Sequence, residues 1–316
     1  MGKPELSVLL ATRNRASLLE GTLRALARQE TAGLAWEVIV ADNGSTDRTP
    51  AVLEEARGYL PLASVTEPAR GKNRALNRAL PLARGDLLLF TDDDVLPDPR
   101  WIAEMAAAAA RWPDHSIFGG RIVPRFPPEA PAWIREHWFA QGAYARFDLP
   151  GPEGPTDTLP FGPNFMVRSR AMAGVRYSED IGPDASPDYI SGSETELLHR
   201  LARRGEKIVY VPGALVEHVV RPEQLTVEWL HERSYRHGRC LVELGFVQQN
   251  DGPRVGGVPV GVWARFAKEW LYRLLGSFGD DRRRFIHGLD YHFLRGCIRQ
   301  HRLMARRRRR GSRAGG

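Results

Sequence analysis

The stretch Gly85-Asp-Leu-Leu-Leu-Phe-Thr-Asp-Asp-Asp-Val-Leu-Pro-Asp-Pro99 decides the fold of this chain. An apolar run, Leu87 to Phe90, ends at three carboxylates, Asp92, Asp93 and Asp94. A short continuous apolar run suits a strand buried on both faces of a parallel sheet. Ligands of open α/β sheets bind just beyond the carboxyl ends of the strands. Three adjacent acids there repel one another unless a cation sits among them. Oxygen ligands spaced as Asp-x-Asp suit a hard divalent ion that also touches phosphates. The expectation is a Mg²⁺ or Mn²⁺ site serving a phosphorylated substrate.

Outward from that segment, the first half alternates strand-like and helix-like patterns, as a parallel α/β sheet requires. Strands are expected at Leu6 to Ala11, Trp36 to Ala41, Ala63 to Thr66 and Ser116 to Val123. Helices are expected from about Ser17, where Leu19, Leu23 and Leu26 have helical spacing, over Asn73 to Leu82, and over Pro99 to Trp112. Residues 124 to 163 are proline-rich and irregular, as a functional loop or lid would be. The pattern resumes with a strand from Phe165, a helix from Glu194 and a strand over Lys207 to Val211, and becomes purely helical after about residue 224. The domain reading is a catalytic domain over 1–224, with a nucleotide half of about 1–123 and an acceptor half of about 124–224. A helical region over 225–305 and a disordered basic tail over 306–316 complete it.

The net charge is +7, yet residues 299 to 316 alone carry eight arginines and no acid. Without them the chain is at −1, so the basicity belongs to the tail and nucleic acid is not favoured as a partner. Hydrophobic content of 42% and charged content of 26% are those of a soluble globular protein, and no apolar stretch nears membrane-spanning length. The N-terminal segment lacks a signal peptide's apolar core, and two cysteines, Cys240 and Cys297, call for no disulfide framework. A cytoplasmic location is the expectation.

Five segments occur in a diagnostic order: Leu6 to Arg15, Val38 to Asp47, Gly71 to Arg78, the Asp92-x-Asp94 strand end and Ser191 to Leu197. Together they closely resemble the family 2 glycosyltransferases of GT-A fold, over roughly residues 5 to 245. The resemblance implies a Rossmann-like, mostly parallel sheet flanked by helices with a C-terminal helical appendage. It also implies transfer of a sugar from a nucleoside-diphosphate sugar, with a UDP-sugar favoured, to a hydroxyl of a glycan or lipid-linked acceptor. The Gln-x-x-Arg-Trp signature of processive synthases is absent, which favours transfer of a single sugar.

By that resemblance Thr12, Arg13 and Asp42 border the nucleoside. The Asp42-Asn-Gly-Ser45 stretch also suits a plain turn and helix cap. Lys72, Arg74 and Asn77 face the base, ribose or diphosphate, with solvated helix charges the alternative for the two cations. Asp94 ligates the metal, Asp92 the metal or the ribose, and Asp93 belongs to the same cluster but points away if the chain there is extended. His218 completes the metal shell, or is a satisfied core histidine. Asn164 matches a polar residue near the sugar, or is a turn residue.

A catalytic base near the acceptor is expected within Ser191 to Leu201, where Ser193 and Glu196 have capping-box spacing. That leaves Glu194 in the first turn, where the helix dipole favours its ionised form, with Glu196 the alternative. The family usually has Glu-Asp at this point, whereas this chain has Ser193-Glu194.

Farther on, Trp263, Phe266, Ala267, Trp270, Leu271 and Leu274 share one helix face, and a second helical stretch carries Phe285, Ile286, Leu289, Phe293 and Leu294. With the arginine tail they suit peripheral binding to an anionic membrane surface, or closure of the core or pairing with a second subunit. Other functional classes stay open: a non-catalytic membrane- or nucleic-acid-binding module using the tail, or a sugar nucleotidyltransferase. The latter lacks a glycine-rich turn after the first strand. A phosphatase built on the triple aspartate lacks its downstream Thr and Lys pattern.

Overall fold

The computed structural model of the chain describes all residues except 1, 32, 137, 185, 187, 248–251, 276–280 and 315–316. Contacts divide the chain into two compact units. The first comprises Met1–Pro127, Tyr144–Ser186 and Ser193–Val220; the second comprises Pro128–Ala143, Pro187–Gly192 and Arg221–Gly316. Part of the proline-rich segment therefore groups with the C-terminal helices, and the later boundary falls at residue 220.

The first unit begins with strand β1 (Leu6–Thr12), helix α1 (Ala16–Leu26), β2 (Trp36–Asp42), α2 (Thr49–Ala56), β3 (Leu62–Thr66) and α3 (Lys72–Ala79). It continues with β4 (Leu87–Phe90), β5 (Val95–Pro97), α4 (Trp101–Arg111) and β6 (Ile117–Arg125). Two short helices, α5 (Ala132–Glu136) and α6 (Trp138–Ala143), belong to the second unit. Back in the first unit come β7 (Gly154–Thr156), β8 (Phe165–Arg168), α7 (Ser193–Ala202) and β9 (Ile208–Val219).

The strand order is β3-β2-β1-β4-β8-β6-β9-β5, with β7 also on β9. The sheet is parallel from β3 through β4, and mixed beyond, because β8 runs antiparallel to both β4 and β6. Strand alternation builds two cores. Leu6, Val8 and Leu10 of β1 and Leu87 and Leu89 of β4 join the cluster containing Leu19, Leu23, Trp101 and Met105 of α1 and α4. Leu9, Leu88 and Phe90 point the other way, to Leu76, Leu197 and Leu201 of α3 and α7. A strand buried on both faces favours apolar residues throughout, which is why β4 is an apolar run and β1 nearly one, its buried Ser7 donating to Glu37 at 2.7 Å.

Several elements escape the sequence pattern: α5, α6 and β7 all lie within the stretch expected to be irregular. Strand β5 is three residues ending in proline, too short to show a period. Strand β9 runs on to Val219, well past Val211, with a register irregularity opposite Gly120 and Ile122. Antiparallel pairing of the two sets Val95 opposite His218.

The second unit contains α8 (Val227–Glu243), a small hairpin of β10 (Arg254–Val255) and β11 (Val258–Pro259), α9 (Val260–Leu275) and α10 (Asp281–Ala314). The hairpin corrects the expectation of a purely helical region. The tail expected to be disordered from residue 306 instead continues α10 to Ala314, which arginine and alanine favour; residues 315–316 lie outside the described residues. Helices α8 and α10 meet backbone to backbone: a Cβ on Gly238 would overlap the Phe293 carbonyl, and one on Gly296 the Tyr235 carbonyl. Phe285, Leu289, Leu294 and Cys297 of α10 are buried, and Ser234 Oγ donates to the Leu289 carbonyl at 2.8 Å. No helix among the described residues is long and apolar enough to cross a membrane.

Candidate active site

The carboxyl ends of β1, β2 and β4, the first turns of α3 and α7 and the end of β9 supply every side chain of the acidic centre. The loops after β1 and β2 are tied together: Asn14, in the left-handed region at φ 50°, accepts from the Thr46 backbone N–H at 2.7 Å, and its own N–H donates to Ser45 Oγ at 2.9 Å. Register places Thr12 beside Asp42, so the two strand ends finish level.

The three aspartates diverge. Asp93 is buried, accepting from Thr12 Oγ1 at 2.7 Å and from Arg15 at 2.8 Å. Burial raises its pKa, and the Asp94 charge raises it further, against the pull of Arg15 and Thr12. Asp92 accepts from Lys72 Nζ at 2.6 Å. Asp94 receives Arg15 at 3.2 Å and faces His218, with Nε2 3.4 Å from Oδ1. The acids that on sequence alone needed an added cation are thus partly neutralised by Arg15 and Lys72. For both cations burial opposes the charge, and the carboxylates outweigh it and raise the pKa. Repulsion among the acids is therefore not in itself an argument for a metal.

Asp94 and His218 offer the better-suited place for a metal. The His218 Nδ1 lies 2.9 Å from the Tyr144 carbonyl, and only a protonated Nδ1 can make that bond. Nε2 then turns toward the Asp94 carboxylate. Burial lowers the His218 pKa, but the hydrogen bond and charge of Asp94 outweigh it and the net shift is upward. Among the described residues no three His, Cys, Asp or Glu side chains converge as a ready-made cage. A divalent ion that takes one or two protein ligands and completes its shell with phosphate and water needs none.

Lys72 connects this centre to α7. Its Nζ lies 2.6 Å from Asp92 and 2.7 Å from Glu194 Oε1, so one ammonium bridges the two carboxylates. Gly162 packs closely against Glu194: a Cβ there would come within 2.7 Å of its carboxyl carbon. Glu196 instead forms an i,i+4 ion pair with Arg200 at 2.9 Å. Of the two candidate bases, only Glu194 joins the acidic centre.

The remaining expected residues divide. Arg13 has a buried Nη1 with no hydrogen-bond partner among the described residues, an atom suited to an anionic or carbonyl ligand. Asp42 is buried and its Oδ1 accepts from the Ser45 N–H at 2.9 Å, the turn geometry that was the plain alternative. Arg74 pairs with Glu179 at 3.1 Å, both partly exposed.

Thr12, Asn77 and Asn164 are committed to the fold. Thr12 supports Asp93, and Asn77 brackets Tyr177 through both its backbone N–H and carbonyl. Asn164 is fully buried; it accepts from Trp101 Nε1 at 2.8 Å and donates to the Arg121 and Ala214 carbonyls. An amide with every group already engaged among backbone carbonyls and an indole does not face a sugar.

Sequence reasoning missed two residues of the centre. Arg15 lies inside the first motif, but nothing local marked it as the partner of Asp93. Tyr177 packs edge-on against Phe90, with ring centroids 5.9 Å apart, and its buried hydroxyl has no hydrogen-bond partner among the described residues. Burial, and then the charges of Glu194 and Asp92, raise its pKa well above the ordinary value, so it is a neutral donor close to both acids.

A model of the family described as glycosyl transferase family 2 matches residues 7–178. Validoxylamine A glucosyltransferase of Streptomyces hygroscopicus subsp. jinggangensis (strain 5008) is 41% identical over 109 residues, 34% of this chain and 26% of that protein. The chain thus spans about a quarter of the length of that curated relative. The succinoglycan biosynthesis protein ExoM of Rhizobium meliloti (strain 1021) is 27% identical over 245 residues, 74% of each chain. Among solved structures, the mannosyltransferase PcManGT from Pyrobaculum calidifontis, in complex with GDP-Man and Mn²⁺, matches with a TM-score of 0.59 at 18% identity. That match covers 95% of this chain and 88% of that one. S. aureus TarS 1-349 in complex with UDP-GlcNAc matches with a TM-score of 0.53 at 16% identity, over 94% and 92%. At these identities the structural likeness speaks for the fold, a mixed sheet flanked by helices with C-terminal helices following.

Proposed function

The chain belongs to glycosyl transferase family 2, and from that premise we propose that it moves one sugar from a nucleoside-diphosphate sugar to a hydroxyl acceptor. The single observation carrying this reading is the Lys72 bridge, which joins Asp92 of the strand-end cluster to Glu194 of α7. It sets a diphosphate-facing acid and a candidate base on either side of one ammonium.

In this reading residues of about 1–123 hold the donor. Arg13 reaches the nucleotide with its unpartnered Nη1, and Asp42 accepts from the base N–H at the end of β2. Asp94 and His218, with Asp92 alongside, would hold a Mn²⁺ or Mg²⁺ ion, whose charge stabilises a departing nucleoside diphosphate. The structural neighbour that binds GDP-Man with Mn²⁺, and the one that binds UDP-GlcNAc, support a nucleotide-sugar donor; a UDP-sugar is favoured.

The acceptor, a glycan or lipid-linked hydroxyl, approaches from the Glu194 side. Lys72 pairs with Glu194, and Glu194 takes the hydroxyl proton as the oxygen attacks the anomeric carbon. One carboxylate base without a covalent nucleophile gives a direct displacement with inversion. The product belongs to glycan, polysaccharide or glycolipid assembly. Two buried, unpaired cysteines fit a reducing cytoplasm.

The test is release of nucleoside diphosphate from a panel of UDP- and GDP-sugars with Mn²⁺. Turnover by the native chain and none by Asp94→Ala is the expected result. Consumption of a sugar phosphate and a nucleoside triphosphate instead would make it a nucleotidyltransferase.

A further inference from the structure

One side of α9 is satisfied by its neighbour. Phe266 stacks on Tyr291 of α10 with ring centroids 5.2 Å apart, and Tyr272 stacks on His287 at 4.7 Å. The adjoining side is not. Trp270, Leu271 and Leu274 are 49%, 50% and 56% exposed, and Ala267 is exposed beside them. Positions 267, 270, 271 and 274 follow the i, i+3, i+4, i+7 rule, so they form one continuous stripe. Val255 of the β10–β11 hairpin, 61% exposed, and Val260 at the start of α9 add to the apolar surface of this unit. A clustered apolar surface of this kind marks a place that something covers.

Charge says what. Residues 253–316 hold sixteen Lys and Arg against four Asp and Glu, a net of +12, while the preceding 252 residues are at −5. Lys268 and Arg273 are exposed on α9 itself, and Arg306 to Arg309 are exposed along α10. The Arg302 guanidinium lies 5.1 Å over the Trp263 ring, which brings this basic helix end to the first turn of α9. A second copy of the chain as the cover would bring two such basic units together, at an electrostatic cost. A surface of fixed negative charge over hydrocarbon satisfies both halves of the pattern.

We infer that the stripe Ala267, Trp270, Leu271 and Leu274, with Lys268 and Arg273 next to it on α9 and the arginine run farther along α10, docks on an anionic lipid surface. The apolar side chains enter the headgroup boundary, and the guanidinium groups pair with lipid phosphates. This goes beyond the sugar-transfer reading and stands independently of it.

The experiment is co-sedimentation of the full chain with vesicles of phosphatidylcholine alone and of phosphatidylcholine with phosphatidylglycerol. Sedimentation with the anionic vesicles only, weakening as salt is raised, is expected. Leu271→Glu with Leu274→Glu, at exposed positions that leave the fold intact by circular dichroism, should bind at least tenfold more weakly. Replacing Arg306 to Arg309 with glutamine should also weaken binding. No sedimentation with anionic vesicles at low salt overturns the inference, as does undiminished binding by the double glutamate variant. A native dimer in sedimentation velocity that this variant converts to monomer would assign the stripe to a second copy instead.

Discussion

Lys72 Nζ stands 2.7 Å from Glu194 Oε1, although the two residues are 122 positions apart in the chain. The contact links the first turn of α3 to the first turn of α7, and through Asp92 it extends to the end of β4. If Glu194 is the base, Glu194→Gln keeps the hydrogen bond from Lys72 but cannot take a proton. Turnover should fall about 10²- to 10⁴-fold while donor affinity stays within a factor of about three. Steady-state kinetics with direct donor-binding measurements separate the two; near-native turnover would remove Glu194 from the chemistry.

His218 makes a different prediction. Its Nδ1 is anchored on the Tyr144 carbonyl and its Nε2 faces Asp94. His218→Ala should raise the Mn²⁺ concentration for half-maximal donor binding by about tenfold or more, with little change at saturating metal. An unchanged metal titration would return His218 to the role of a core histidine.

Asn164 should behave as a structural residue. Asn164→Ala leaves the Trp101 indole N–H unpaired in the core, frees the Arg121 and Ala214 carbonyls and opens a small void. A loss of about 3 kcal/mol in unfolding free energy is expected, from the cost of burying unsatisfied polar groups. The protein that remains folded should bind nucleotide normally. A chemical denaturation curve unchanged by the substitution, with a loss of donor affinity, would reinstate Asn164 as a ligand-facing residue.

In the second unit, His292 stacks on His231 with ring centroids 4.5 Å apart. Burial first, and then the neighbouring His231, lowers the His292 pKa to about 4; burial and Arg273 lower that of His231. In the unfolded chain both titrate near pH 6.5. Below about pH 6.5 the unfolded state therefore binds more protons than the folded state, and stability falls as the pH drops toward 4. Denaturant midpoints at pH 7.5 and 5.5 should show this decline in the native chain and a smaller one in His292→Gln. Equal declines would contradict it.

Much of the first unit was legible because burial on both sheet faces leaves a plain signature. Leu87 to Phe90 is apolar without interruption, Leu6 to Leu10 is broken only by Ser7, and α1 after β1 shows leucines at helical spacing. The three-residue β5 carried no such signal, and with it the pairing of Val95 against His218 was hidden. The acids of the candidate site stood out by their chemistry, whereas Lys72 and His218 entered through the family resemblance; the structure sets Lys72 and Glu194 against Asp92, and His218 against Asp94.

The asparagines of the site were not legible. An amide reaching for a sugar and an amide bracketing a loop are the same residue type in the same motif, and only the partners of Asn77 and Asn164 separate them. Arg15 was missed for a related reason. Compensation of Asp93 is a tertiary contact across 78 residues, invisible to any local pattern.

The central claim, that Asp94 and His218 gather a divalent ion against a nucleotide diphosphate, is tested most directly by calorimetry of UDP binding. The titration is run with Mn²⁺, with a chelator, and with Asp94→Ala in the presence of Mn²⁺. Saturable binding with Mn²⁺ that is lost in the other two titrations is the predicted result. Equal UDP affinity in all three would contradict the account.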